Sequence, residues 1–258
     1  MAKLALDLKS RTAVVVGGTS GIGLALAQGM AEAGADVIPT GRRLEHLELA
    51  AAGIRELGRR SLVAACDITD LASVEHFRDA VLREFESVDI LVNCAGITMR
   101  APTLEVSEAD WNRVVETNLN GTLRTCQIFG RQMIDRRYGR IINVASLASF
   151  AGFFQVAAYA ASKAAVVSLT KTLAVEWAKH GVCVNAIAPG VFRTDLNRAL
   201  LDGTPRGEEF LVRTPMQRFG QPEELVGAAV FLASEAASYV TGHVLAVDGG
   251  FLASGVNQ

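Results

Sequence analysis

The chain has 258 residues, half of them apolar and one fifth charged, with a formal net charge of −2. That composition supports a large core and excludes a disordered chain. The near balance of charge offers no patch for nucleic acid or anionic lipid, and no apolar run reaches the length of a membrane span.

The N-terminal MAKLALDLKS lacks the apolar centre of a signal peptide. The four cysteines, Cys66, Cys94, Cys126 and Cys183, form no C-x-x-C pair and match no zinc spacing. They read as buried thiols in a reducing compartment, so a cytoplasmic location is expected.

The first apolar run, 12–17, leads into VGGTSGIGLALA. Gly17, Gly21 and Gly23 make a G-x-x-x-G-x-G turn between a predicted strand and a helix at 22–33. Glycine permits the tight turn and close approach of backbone to a ligand, and the helix start offers free N–H groups to a diphosphate. Thr19, Ser20 and Ile22 belong to the same turn. A second strand, 36–40, contains Pro39, which is awkward in a strand interior and is expected where the strand ends. Gly41-Arg42-Arg43 then stands where a dinucleotide fold carries a carboxylate for the ribose 2′-hydroxyl. Arginines there suit a 2′-phosphate, or are simply solvated at the start of a helix at 43–57. The first reading favours NADP(H), with NAD(H) as a possible second cofactor.

A third strand is predicted at 61–66. It is followed by Asp67 and Ile68, placed for an adenine edge; Asp67 could also cap the helix at 70–86, although Asp70 suits that better. A fourth strand, 89–93, ends in Asn93 with Ala95 and Gly96 beyond it, small and polar groups for the second ribose. A long helix at 107–135 starts at the N-cap Ser107 and carries Asn118 in its interior, where asparagine is poorly suited and needs another reason. Strand 139–145 runs into Ser146. A helix at 157–179 reads AAYAASKAA, with Tyr159 and Lys163 four apart and therefore on one face. Gly34 and Gly181 sit where left-handed C-cap residues belong. Strand 182–188 leads to Pro189, Gly190, Phe192 and Thr194. The stretch 195–221 breaks the rhythm as a mobile excursion with one or two short helices, expected to cover the substrate; a helix at 222–233 and a strand at 243–247 close the pattern.

Most of the strand runs are unbroken Val/Ile/Leu/Ala rather than alternating, the mark of parallel strands covered on both faces. The expectation is one α/β domain, 1–258, a doubly wound Rossmann-type parallel sheet of about seven strands with helices on both faces.

At this point the chain resembles the short-chain dehydrogenase/reductase family. The resemblance rests on VGGTSGIG (16–23), NCAG (93–96), NLNG (118–121), Ser146 with Y-x-x-x-K at 159–163, PGVFRT (189–194) and VTGHVLAVDGG (240–250), and it spans essentially the whole chain. Val16 and Cys94 depart from the commoner Thr and Asn. The resemblance implies an oxidoreductase interconverting a secondary alcohol and a ketone. Tyr159 is then the acid/base, with Lys163 favouring the phenolate and holding the nicotinamide ribose. Ser146 polarises the substrate oxygen, and Asn118 holds a water that links Lys163 to solvent. The Phe192 backbone and Thr194 side chain anchor the carboxamide. A free phenol titrates near pH 10, so acting near pH 7 requires a shift of about three units, about 4 kcal/mol. A broken set would instead suit a non-catalytic redox sensor; here it is intact.

The substrate is less legible. Arg100 and Arg193 are candidates for a carboxylate, and Gln155 and Asn197 for hydroxyls, beside the reacting pair Ser146 and Tyr159. SLASFAGFFQVAAY and DGGFLASGVNQ are similar to sugar-acid dehydrogenases of the family, which implies a sugar acid or polyol such as gluconate and its 5-keto form. Phe150, Phe153 and Phe154 argue for a greasier pocket. A 3-oxoacyl-carrier-protein reductase or a broad ketone reductase is the alternative; the former needs a basic docking surface, for which Arg136 and Arg137 are the dense candidates, although with Arg140 they also read as a solvated turn. His46, His76, His180 and His243 have no metal-ligand neighbours, so no metal is expected. The family implies a homotetramer packed on the helices at 107–135 and 157–179 and on the C-terminal segment.

Overall fold

A computed structural model of the protein describes residues 6–194, 197–255 and 257. Among them, six strands form one all-parallel sheet: β1 Thr12–Val16, β2 Asp36–Thr40, β3 Ile90–Asn93, β4 Gly139–Val144, β5 Val182–Pro189 and β6 Val244–Val247. Their order is β2-β1-β3-β4-β5-β6. The α-helices are α1 Gly21–Glu32, α2 Leu44–Glu56, α3 Leu71–Phe85, α4 Glu108–Val115, α5 Gly121–Asp135, α6 Ala157–Trp177, α7 Arg198–Leu201, α8 Pro205–Arg213 and α9 Val226–Ala233. None is long and apolar enough to cross a membrane.

Two core layers sandwich the sheet. Ala13 and Val15 pack with Leu26 and Met30 of α1 and Ala229 and Leu232 of α9. Val14 and Val16 pack on the other face with Phe77 of α3, Phe129 and Met133 of α5 and Leu173 of α6. Alternate side chains thus enter opposite cores, and both cores are apolar; that is why the strands read as continuous apolar runs. Asp70 caps α3 by accepting from the Ala72 N–H, and Ser107 caps α4 by accepting from the Asp110 N–H, both at 3.0 Å. Gly34 and Gly181 adopt φ of 105° and 77°, as the cap reading required.

Residues 61–66 depart from expectation: they run beside β2 without forming a strand, so the sheet has six strands rather than about seven. Asp36 and Thr40 bond toward β1, through Asp36 N–H to Arg11 O and Gly17 N–H to Thr40 O. Val37, Pro39 and Gly41 therefore face the outer edge. There Val37 N–H donates to Arg60 O at 3.1 Å and Cys66 N–H donates to Gly41 O at 2.9 Å. Between them Pro39, the penultimate residue of β2, has no N–H to offer, and the ladder fails at that rung.

The helix expected at 107–135 is three pieces, α4, a π-helical turn Glu116–Asn120 and α5. The 195–221 excursion carries α7 and α8; residues 195 and 196 lie outside the described residues. Chain order reverses between β1 and β3, whose ends align with Val16 opposite Asn93. That reversal puts the crevice of a doubly wound sheet at the C-terminal edge of β1 and β3.

Candidate active site

The glycine turn sits at this crevice. Gly17 has φ 77°, and a Cβ there would stand 2.7 Å from the Ala95 backbone. A Cβ on Gly23 would stand 2.1 Å from the Gly17 carbonyl oxygen. The turn is closed by backbone bonds, Gly18 N–H to Val15 O and Gly17 N–H to Thr40 O. Ser20, the N-cap of α1, makes no side-chain cap bond, which leaves the first-turn N–H groups to a ligand. Thr19 lies beside Gly41, and Thr194 beside Gly21: Cβ atoms on these glycines would meet Thr19 Oγ1 at 3.3 Å and Thr194 Cγ2 at 3.5 Å. Ile22 packs partly buried against the core. The cradle therefore fits a dinucleotide diphosphate.

At the adenine end Arg42 is 71% exposed, with Nη1 3.9 Å from Asp67 Oδ2. Arg43 is exposed at the N-cap of α2. Burial works against the Asp67 charge, but the Thr69 N–H and hydroxyl donate to Oδ1 at 3.0 and 2.7 Å, and with Arg42 they hold the carboxyl below its usual range. The Ile68 side chain is buried beneath Gly121, and its carbonyl accepts from Arg124 at 3.1 Å, so that side chain does not face the crevice. Asn93 is a correction of the same kind. Its amide donates to Asn143 Oδ1 at 2.9 Å and accepts from Thr125 Oγ1 at 2.7 Å, inside the sheet. Only the backbone that follows, Ala95 and Gly96, lies open to a ribose. Gly96 faces the reacting end, because a Cβ there would stand 3.2 Å from Asn118 Oδ1 and 3.5 Å from Lys163 Nζ.

The reacting groups converge past β4. Ser146 Oγ accepts from the Ala148 N–H at 3.1 Å, capping a short 3-10 turn, and lies close enough to the Tyr159 phenol to favour its charged form. Lys163 Nζ donates to the Val144 carbonyl at 2.6 Å and lies 5.9 Å from the Tyr159 ring centre. Burial pulls Lys163 down to about 8. Burial also pushes the Tyr159 phenol up, opposed by Ser146. The Cys94 thiol, in place of the family's commoner Asn, is pushed to about 11 by burial.

Asn118 lies in the π-turn, fully buried. Its Oδ1 accepts from Ile97 N–H at 2.8 Å; its Nδ2 donates to Ile97 O at 2.9 Å and to Ser162 Oγ at 3.0 Å. Both amide protons are spent, so the side chain braces Ile97 and Ser162 rather than donating to a water. Ser162 in turn donates to the Tyr159 carbonyl at 2.7 Å. The sequence reading missed Ser162; a serine directly before the lysine, on the buried face of α6, was the available signal.

At the β5 end, Gly190 approaches the Asp248 backbone, where a Cβ would stand 2.7 Å from Asp248 Cα, and Pro189 pairs with Val247. The Phe192 ring is buried over Gly220, and its carbonyl accepts from Asn197 Nδ2 at 2.7 Å. Asn197 Oδ1 accepts from Thr194 N–H at 2.8 Å. Asn197 therefore ties its own turn together and does not serve as a hydroxyl ligand. Arg193 is likewise engaged: Nε donates to Asp202 Oδ1 at 2.9 Å and Nη2 pairs with Oδ2, so it is not open to a substrate carboxylate. Arg100 and Gln155 do come together, Nε to Oε1 at 2.9 Å. Phe153 is drawn into a trio with Phe210 and Phe251 at 5.8 and 5.9 Å, so it anchors α8 instead of lining a greasy pocket; Phe150 and Phe154 are exposed. Arg136 pairs with Asp89 at 3.0 Å, at the N-terminal edge of the sheet and opposite the crevice, which removes it as a docking surface at the pocket mouth.

Comparison with known proteins agrees with this geometry. The family pattern described as enoyl-(acyl carrier protein) reductase matches residues 16–252. Gluconate 5-dehydrogenase of Gluconobacter oxydans (strain 621H) is 42% identical over 248 residues, covering 96% of this chain and 97% of that protein. The 2-dehydro-3-deoxy-D-gluconate 5-dehydrogenase of Bacillus subtilis (strain 168) is 43% identical over 250 residues, covering 96% and 97%. The crystal structure of a gluconate 5-dehydrogenase from Burkholderia cenocepacia J2315, in complex with NADP and tartrate, superposes with a TM-score of 0.93 at 41% identity, covering 97% of this chain and 98% of that one. Similarity of this extent, over a glycine cradle and a Ser146–Tyr159–Lys163 cluster, places the chain in the short-chain dehydrogenase/reductase family, as an NAD(P)-dependent enzyme acting on CH–OH groups.

Proposed function

We propose that this enzyme interconverts a sugar acid and its keto form, such as gluconate and 5-ketogluconate, with NADP(H) as the preferred dinucleotide. The observation that carries the proposal is the cluster of Ser146, Tyr159 and Lys163 past the end of β4, with Gln155 on the loop that leads into Tyr159 held by Arg100 from the loop after β3. The names of the relatives, and the NADP and tartrate of the Burkholderia structure, support the substrate class and the cofactor.

Gly17, Gly21 and Gly23 would hold the diphosphate, Arg42 the 2′-phosphate, Asp67 the adenine, and Thr194 with the Phe192 N–H the carboxamide. When bound, the oxidised dinucleotide accepts the hydride and adds a positive charge that favours the phenolate. Tyr159 removes the hydroxyl proton in oxidation and returns it to the alkoxide in reduction. Ser146 donates to the substrate oxygen as charge develops there. An ammonium has three protons. With one on Val144 O, Lys163 keeps two for the ribose and for proton exchange. Two copies could pack on the exposed side of α6, where Ala161, Ala164, Ser168 and Val175 face out, in line with the tetramer that the family implies.

Initial rates with NADP⁺ across gluconate, related sugar acids, polyols and simple secondary alcohols, with NAD⁺ in parallel, test this reading. A sugar-acid preference with NADP⁺ supports it. Activity confined to apolar alcohols would end the sugar-acid assignment.

A further inference from the structure

Arg206 is the second residue of α8. Its Nη1 lies 3.5 Å from the Phe154 carbonyl oxygen, and its guanidinium carbon is 5.3 Å from the Phe210 ring centre. One residue along the same loop, Arg100 Nε donates to Gln155 Oε1 at 2.9 Å. Two guanidiniums from distant parts of the chain therefore meet on consecutive residues of the loop that leads into Tyr159. Partial burial, and then the neighbouring Arg100 charge, pull Arg206 below its ordinary value.

Among the described residues neither arginine has an ion-pair partner within salt-bridge distance. Glu209, one turn further along α8, pairs with Arg213 at 3.2 Å, and Asp202 pairs with Arg193. Like charges brought together repel, and the Glu209 carboxylate, which also acts on Arg206, offsets this less than Arg100 imposes it. A carboxylate would relieve it through charge-assisted, forked hydrogen bonds, the geometry for which guanidinium is suited. The helix presenting Arg206 is held in place, because Phe210 packs 5.8 Å from Phe153 and 6.5 Å from Phe251.

We propose that Arg206 is the second cation of a two-arginine receptor, with Arg100, for the substrate carboxylate, and that it selects sugar acids over neutral polyols of the same hydroxyl pattern. The assignment rests on the sugar-acid reading of the site and adds a residue from the covering helix to it.

Calorimetric titration of the NADPH-loaded enzyme, which has no acceptor for a hydride from an alcohol, with D-gluconate, tartrate and the neutral D-glucitol tests it without turnover, on wild type, Arg206→Gln and Arg206→Lys. Arg206→Gln should weaken gluconate and tartrate tenfold or more and leave glucitol within about twofold, about 1.4 kcal/mol lost on the acids alone. Arg206→Lys should restore part of the loss, which separates charge from packing. Equal weakening of acid and polyol, unchanged acid affinity, or no acid binding by wild type would overturn the proposal. Arg206-dependent acid binding without gluconate turnover would end the gluconate assignment and leave the receptor standing. Brisk gluconate turnover with acid binding indifferent to Arg206 would do the reverse.

Discussion

Lys163 and Asn118, on the floor of the site, are 4% and 0% exposed, whereas Leu200 and Val212, on α7 and α8, which we propose as its cover, are 50% and 72% exposed. The floor is held by polar atoms that have no water to fall back on: Lys163 on Val144, Asn118 on Ile97 and Ser162, Ser162 on Tyr159. Each such bond is costly to leave unmade, so each fixes a position. The cover is held by an aromatic trio and by ion pairs between half-exposed groups such as Arg193 and Asp202. Ion pairs between groups so exposed are worth less than bonds in the interior. The lesson is a division of labour. Proton transfer is assigned to groups buried in the floor, and recognition to partly exposed groups beside it.

Breaking the floor should have the largest effect on stability. Asn118→Ala removes three hydrogen bonds and strands the Ile97 and Ser162 partners in the interior. It should cost about 3 kcal/mol and lower Tm by roughly ten degrees in a thermal melt. At the exposed phosphate end, Arg42→Ala should leave the melt unchanged and raise KM for NADP⁺ about tenfold, with KM for NAD⁺ within about twofold. Equal weakening of both cofactors would remove Arg42 from the 2′-phosphate.

A smaller effect sharpens the comparison through pH. Burial lowers Lys163 to about 8, against about 10.4 for a free lysine. Above pH 8 the fold has released a proton that the unfolded chain still binds, so stability rises with pH across this window. Between pH 8 and 9 the dinucleotide-free wild type should gain about 1 kcal/mol relative to Lys163→Met, measured by urea denaturation. The buried thiols, raised to about 12 at Cys66 and Cys126, act in the opposite direction but are common to both proteins and cancel. On the cover, Phe210→Ala should raise KM for a sugar acid about fivefold and leave kcat nearly unchanged, since one aromatic contact is worth about 1 kcal/mol. A collapse of kcat there would mean that α8 takes part in the chemistry.

The same division decided what the sequence could reveal. Floor and cradle were legible because strand ends put them in fixed places: Gly17 after β1, Ser146 after β4, and Tyr159 and Lys163 one turn apart on α6. What escaped depended on partners that spacing does not show. The 61–66 run has strand composition, but its ladder depends on the missing N–H of Pro39 across the edge. The π-turn at Asn118 was foreshadowed only by an asparagine inside a helix. Arg193 and Asn197 read as substrate ligands until Asp202 and the Phe192 carbonyl claimed them. Arg206, on a segment read only as an excursion, gains its meaning from Phe154 and Arg100.

The claim that proton transfer resides in the floor is tested most directly by Tyr159→Phe, with NADP(H) affinity and turnover measured on the same preparation. The account predicts kcat lower by about a thousandfold or more and dinucleotide affinity within about threefold of wild type. A variant that turned over at near wild-type rate would contradict it, and the acid/base would have to be sought elsewhere in the crevice.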